Sequence, residues 1–225
     1  MLAADTLTLE PHGAERLDRA ALAILSDLLA LAATLPTERA GTRLHGIPAL
    51  TALLARDAAL GTIASTRLGP HSRAVRAILF DKTADTNWAL GWHQDRVIAV
   101  RERIETPGYG PWSVKQNMVH VAPPAALLAG MLTMRVHLDA VPATNAPLLI
   151  SPGSHRLGRI AEDRIDAVVR DHGSVACLAD AGDVWLYATP VVHASALAMQ
   201  PKRRRVLQID FAACYLPNRL EWLGV

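Results

Sequence analysis

One residue separates a histidine from an aspartate in Trp92-His93-Gln94-Asp95. On an extended backbone, side chains at i and i+2 point to the same side, so this imidazole and this carboxylate can share a metal ion. Taken alone, such a triplet also describes an ordinary surface pair. A second histidine, His193, follows about a hundred residues later in the β-like run Val191–Ala196. Two imidazoles and one carboxylate on one face of an octahedral ion leave three positions open. That suits non-haem Fe(II), which must take a bidentate co-substrate and then O2. Zinc accepts the same ligand types with a water in its fourth position, so the three residues alone also fit a hydrolase.

A basic run, Lys202-Arg203-Arg204-Arg205, begins nine residues after His193. Read by itself it is a solvated face or a nucleic-acid patch. Strand alternation changes the reading, because Arg204, Val206 and Gln208 fall on one face and Leu207, Ile209 and Phe211 on the other. The apolar set suits a helical layer. Arg204 then points inward, where a planar guanidinium can grip a carboxylate through two parallel hydrogen bonds. Ser195, on the same face as His193, can donate its hydroxyl to that carboxylate. A hydrolase, a cupin-like isomerase or a non-catalytic binding domain that keeps the pocket needs neither residue.

Other chemistries find little footing. No Gly-x-Ser-x-Gly sequence occurs, and neither Cys177 nor Cys214 has an adjacent base, so nucleophilic catalysis is unsupported. A phosphate-cradling glycine loop is also absent. The formal net charge of +2, from interspersed acidic and basic residues, implies neither a nucleic-acid nor a membrane partner. Two cysteines in 225 residues make no disulfide framework, and the first residues lack a signal-peptide pattern, so a cytoplasmic protein is expected.

Positioning these groups requires a scaffold. Apolar residues recur with a helical period over Ala14–Leu35 and again over Pro48–Leu60, which predicts two amphipathic helices. From Ala74 onward the pattern shifts to short β-like runs: Val75–Phe80, Val97–Val100, Met131–Leu138, Leu148–Ile150, Val175–Leu178, Asp183–Tyr187, Val191–Ala196 and Arg204–Ala213. One short helix, Ala161–Val169, interrupts them. The expected fold is α+β, a double-stranded β-helix (jelly roll) with the N-terminal helices packed on one sheet, as one domain spanning residues 1–225. Arg101–Asn117, polar and rich in Gly and Pro, reads as an irregular loop and a candidate lid.

Four stretches carry a family resemblance: FDKTADTNWALGWHQD (Phe80 to Asp95), LTMRVHLDAVPATNAPLLISPGSH (Leu132 to His155), GDVWLY (Gly182 to Tyr187), and VVHAS (Val191 to Ser195) followed by RRVLQIDFA (Arg204 to Ala212). In this order they resemble the phytanoyl-CoA dioxygenase family of Fe(II)/2-oxoglutarate oxygenases. The resemblance implies a jelly roll, His93, Asp95 and His193 as iron ligands, and Arg204 with Ser195 at the C5 carboxylate of 2-oxoglutarate. It also implies a small hydroxyl near the co-substrate at Thr133, and further contacts from Lys82 and Asn87. Halogenating relatives replace the ligand carboxylate by a small residue, so the presence of Asp95 implies hydroxylation. The expected cofactors are Fe(II), 2-oxoglutarate and O2, with ascorbate as the reductant in an assay. Gln94, Arg135, His137 and Trp112 are candidate contacts to a small-molecule substrate, and the expected assembly is a monomer or homodimer.

Overall fold

Odd and even positions of the run Met131–Leu138 carry different chemistry, and that difference organises the protein. Leu132, Met134 and Val136 are buried in one apolar cluster with Leu207, Ile209 and Phe211, while Thr133, Arg135 and His137 take the opposite face. The structure is a computed structural model that describes residues 3–36 and 41–225.

The N-terminal part holds α1 (Leu9–His12), β1 (Ala14–Leu17), α2 (Leu25–Ala33), β2 (Gly41–Leu44), α3 (Pro48–Leu53) and α4 (Ala59–Leu68). There follow β3 (Arg73–Lys82), β4 (Leu90–His93), β5 (Ile98–Val100), β6 (Trp112–Lys115), β7 (Met118–Val121), α5 (Ala125–Ala129), β8 (Met131–His137) and β9 (Leu148–Ile150). The chain ends with α6 (Ile165–His172), β10 (Val175–Cys177), β11 (Val184–Ala188), β12 (His193–Ser195) and β13 (Arg204–Ala212). Among the described residues the large sheet has the order β1-β11-β8-β13-β3-β2, and the smaller facing sheet the order β10-β9-β12-β4. A third sheet, β5-β7-β6, stands beside them. The inner layer between the two main sheets is apolar at one end, where Leu148, Ile150 and Cys177 meet Trp185 and Tyr187. This is the expected jelly roll.

The outer face of the large sheet is covered by α2, α3 and α4. Leu28, Leu50 and Leu60 are no more than 1% exposed there, and each such burial is worth about 1.5–3 kcal/mol. Two boundaries differ from the expected helices. Ala14–Leu17, expected to begin a helix, pairs instead with β11 at the sheet edge, from Ala14 opposite Tyr187 to Leu17 opposite Val184. Arg19 then adopts a left-handed conformation (φ 53°), and its N–H donates to the Asp183 carboxylate at 2.8 Å, so the helix cannot start before this turn. An open sheet edge outcompeted the local helical period. The expected helix Pro48–Leu60 is broken by a turn at 55–58, and α4 crosses it closely: a Cβ on Gly61 would lie 2.0 Å from the Ala55 carbonyl oxygen.

Arg101–Asn117 is irregular, as expected, over residues 101–111, but it does not stay so. It ends in β6, joined to β7 by a two-residue turn in which Gln116 and Asn117 both have positive φ (50° and 61°), the geometry of a tight hairpin. The Gln116 side chain clasps β2, accepting from the Arg43 N–H at 2.9 Å and donating to the Gly41 carbonyl at 2.8 Å. The hairpin is therefore a wall fastened to the large sheet. Among the described residues, no helix is long and apolar enough to cross a membrane.

Candidate metal centre and its cavity

Antiparallel pairing of β12 with β4 places His193 directly opposite His93, which collapses a hundred residues of sequence into one cross-strand pair. The ring centroids are 4.2 Å apart. Asp95 lies just past the end of β4, and the ligand atoms of His93, Asp95 and His193 all fall within 4.8 Å of one another. Each imidazole donates Nδ1–H to the carbonyl two residues before it, His93 to Gly91 at 2.7 Å and His193 to Val191 at 3.0 Å. A carbonyl only accepts, so both rings take the tautomer that leaves the Nε2 lone pair free for a metal.

Protonation suits ligation too. Burial pushes the His193 imidazole down to about 4, against the opposing pull of Asp95, so it is neutral at physiological pH. Burial would raise the Asp95 carboxyl, but the charge of the Arg76 guanidinium opposes it, and the group is held below the usual carboxylate range. Arg76 Nη2 is 3.4 Å from Asp95, and Arg76 Nε donates to Asp210 at 2.5 Å. Asp210 in turn accepts from the Thr133 hydroxyl at 3.1 Å. Two imidazoles with Nε2 unengaged and an ionised carboxylate, backed by a buried ion pair, fit a divalent cation.

These residues open onto a cavity of about 250 Å³ between the two main sheets. At its other end Arg204 enters from β13, opposite Lys82 on β3. Arg204 donates one Nη to the Ala146 carbonyl, and its buried Nε has no partner among the described residues. Burial, and then Arg135, lower this guanidinium to about 10, which still leaves it charged. Lys82 donates to the Trp88 carbonyl at 2.6 Å and to Ser195 Oγ at 3.2 Å, so Lys82, Ser195 and Arg204 converge on one end of the cavity. Arg135 also lines it, with Nη1 on Gln208 at 2.8 Å.

Five candidates do not line the cavity. Thr133 is fully buried behind it, bonded to Asp210 and Thr189. His137 is 2% exposed, and burial beside Arg135 and Arg204 holds it neutral. Asn87 clasps the backbone of Ala198 through both ends of its amide. Gln94 donates to the Gly158 and Pro190 carbonyls and accepts from the Ile160 N–H, so it anchors the segment that carries Asp95. Trp112 packs into the apolar cluster around Ile98 and Val121, under the Arg103 guanidinium. Alternation tells which face a side chain takes. It does not tell how far along the barrel the cavity reaches.

Arg76, Asp210, Arg43 and Lys115 were not singled out from the sequence. A signal existed for the first two, since each is a charge inside an otherwise apolar strand. The Arg76–Asp210 pair is almost fully buried, with side chains 8% and 3% exposed. Arg76→Met is expected to lower stability by about 3–5 kcal/mol, because it leaves Asp210 buried without a counter-charge. The double change Arg76→Met/Asp210→Leu is expected to regain most of that loss yet bind iron about tenfold more weakly than the wild type, since Asp95 has lost its support. Denaturant melts and iron titrations of the three proteins check both expectations.

Among solved structures, an EctD from S. alaskensis in its apoform aligns with a TM-score of 0.64 and 24% identity over 96% of this chain and 78% of that one. The carbocyclase SnoK from nogalamycin biosynthesis aligns with a TM-score of 0.66 and 16% identity over 100% and 90%. HygX from Streptomyces hygroscopicus, with nickel, 2-oxoglutarate and hygromycin B bound, aligns with a TM-score of 0.62 and 14% identity over 92% and 86%. At these identities the likeness shows the fold. No curated protein matches the sequence. The description "Phytanoyl-CoA dioxygenase (PhyH)" matches residues 47–206, a stretch that contains His93, Asp95, His193 and Arg204, and the chain belongs to that family of iron- and 2-oxoglutarate-dependent oxygenases.

Proposed function

We propose that this enzyme hydroxylates an unactivated C–H bond of a small molecule, with His93, Asp95 and His193 holding Fe(II) and Arg204 holding the far carboxylate of 2-oxoglutarate. The observation that carries this reading is a single cavity with three clustered ligand atoms at one end and a buried, incompletely partnered guanidinium at the other. Iron with 2-oxoglutarate and O2 supplies the oxidising power for the reaction, which releases succinate and CO2.

The chain's own residues bind, orient and exclude. The Gly91 and Val191 carbonyls fix both imidazoles, and Gln94 fixes the backbone before Asp95. Arg204 presents its free Nε edge to a carboxylate, Ser195 adds a hydroxyl, and Lys82 lies against Ser195 with its ammonium lowered to about 8 by burial and then by Arg204 and Arg135. Leu90, Leu148 and Phe80 line the walls and keep water scarce around the reacting carbon. Small molecules are bound in solved relatives of this fold, 5-hydroxyectoine in EctD and hygromycin B in HygX, which supports a substrate of that kind. Free cysteines support a reducing compartment such as the cytoplasm, and a near-balanced charge supports a free substrate rather than nucleic acid or a membrane surface.

The test is whether purified protein with Fe(II) and ascorbate converts 2-oxoglutarate to succinate in air. Slow conversion that requires iron is expected even without the primary substrate. Absence of both succinate and measurable 2-oxoglutarate binding would remove the reading.

A further inference from the structure

Six basic side chains line the cavity, those of Arg43, Arg76, Lys82, Lys115, Arg135 and Arg204, against the one carboxylate of Asp95. Arg76 is neutralised by Asp210 behind it. The excess survives loading, because the two charges of Fe(II) are cancelled by the two carboxylates of 2-oxoglutarate. Cationic side chains gathered in one cleft without counter-charges repel one another and focus a positive field, so a cavity that keeps them together suits a further anion.

The excess is divided between two places. Strand β3 serves as a ruler: Arg204 and Lys82 sit at its last residue, whereas Arg43 pairs with Ile78, four residues and about 13 Å back along the strand. With its C1 end at the metal ligands and its C5 end at Arg204, 2-oxoglutarate has no carboxylate left for Arg43. Lys115 reaches the cavity beside Arg43 because the Gln116 clasp ties the hairpin to β2 at Gly41 and Arg43. The Arg43 Nε is buried with no hydrogen-bond partner, and neither Arg43 nor Lys115 forms an ion pair among the described residues. Ile78, opposite Arg43, is two residues from Arg76 on β3, and Arg76 lies 3.4 Å from Asp95, so Arg43 stands toward the metal end of the strand.

We propose that Arg43 and Lys115 form an oxyanion subsite for the primary substrate, which is therefore a small molecule carrying a carboxylate or a phosphate group. The proposal rests on the oxygenase reading above and adds the substrate's charge and the end of the cavity it occupies. Two cations from different sheets grip the anion, which holds the neutral part of the substrate toward His93 and His193. Lys115 is exposed, so the subsite is reachable from solvent while 2-oxoglutarate is already bound deeper in.

The experiment is a calorimetric titration of inorganic phosphate, and separately of acetate, into anaerobic protein loaded with Fe(II) and 2-oxoglutarate. It is run on the wild type, Arg43→Gln, Lys115→Gln and Lys115→Glu. The expected result is binding of at least one anion to the wild type, about tenfold weaker in each glutamine variant and lost in Lys115→Glu. Affinity for 2-oxoglutarate, read from the absorbance of its iron complex, is expected to stay within about twofold in both glutamine variants, which also shows that they fold. No binding of either anion to the wild type, or equal binding in all four proteins, would overturn the subsite. If the iron complex with 2-oxoglutarate does not form in the wild type, the oxygenase reading fails, and the same titrations without 2-oxoglutarate still decide the subsite. Matched sets of phosphate esters, carboxylates and their neutral alcohols or amides, tested for stimulated 2-oxoglutarate consumption, separate phosphate from carboxylate. Equal stimulation by the neutral members would also overturn the proposal.

Discussion

Replacing His193 or His93 by alanine is expected to lower iron-dependent 2-oxoglutarate turnover by more than about 100-fold. Loss of a group that merely orients a metal ligand costs about 10–100-fold in metal affinity or activity, and loss of the ligand itself costs more. The two substitutions are usefully unequal in packing. His193 is 6% exposed and its ring lies 5.7 Å from that of Tyr187, so its removal also empties buried space. His93 is only half-buried and gives up less packing. Both variants should therefore lose iron binding, measured by titration under anaerobic conditions, whereas the thermal transition should fall more for His193→Ala. Normal iron affinity in either variant would show that the three clustered groups are not the metal site.

The second large effect separates three adjacent arginines. Arg204→Ala is expected to weaken 2-oxoglutarate binding by about one to two orders of magnitude, as a charge-assisted hydrogen bond to a carboxylate contributes about 1.5–3 kcal/mol. Arg203→Ala and Arg205→Ala should leave that affinity within about twofold, because these side chains face outward. Arg203 reaches Asp81 at 2.9 Å, and Arg205 grips both oxygens of Asp139, at 2.7 and 2.9 Å. Their loss should appear instead as a modest drop in stability, larger for the less exposed Arg205. Titration of 2-oxoglutarate into the three iron-loaded variants reads this directly. A silent Arg204→Ala with a damaging neighbour would mean that the strand presents the other parity to the cavity.

The parity argument was available without coordinates, since nine residues of β13 alternate between an apolar outer set and a polar inner set. The same logic placed Arg135 on the cavity side of β8. It failed at depth: Thr133 and His137 share that parity, yet one is spent on Asp210 and the other lies beyond the cavity. Trp112 lies away from the cavity, and the segment around it forms a hairpin, for a different reason. The turn at Gln116 and Asn117 lacks glycine, so the hairpin carried no recognisable signature until β5 and β2 offered partners.

From the residues alone came the jelly roll, the set His93, Asp95 and His193, and the singling out of Arg204, because each rests on residue type and on a period of two or 3.6 along the chain; the family came from the resemblance of four stretches in order. Only the tertiary structure decided that Ala14–Leu17 is an edge strand, that Arg76 and Asp210 stand behind Asp95, and that Arg43 and Lys115 line the same cavity as the three ligands. Those outcomes depend on pairings between segments far apart in sequence. The energy of such a contact, a sheet edge closed or a buried charge matched, belongs to neither segment and so leaves no local pattern to read.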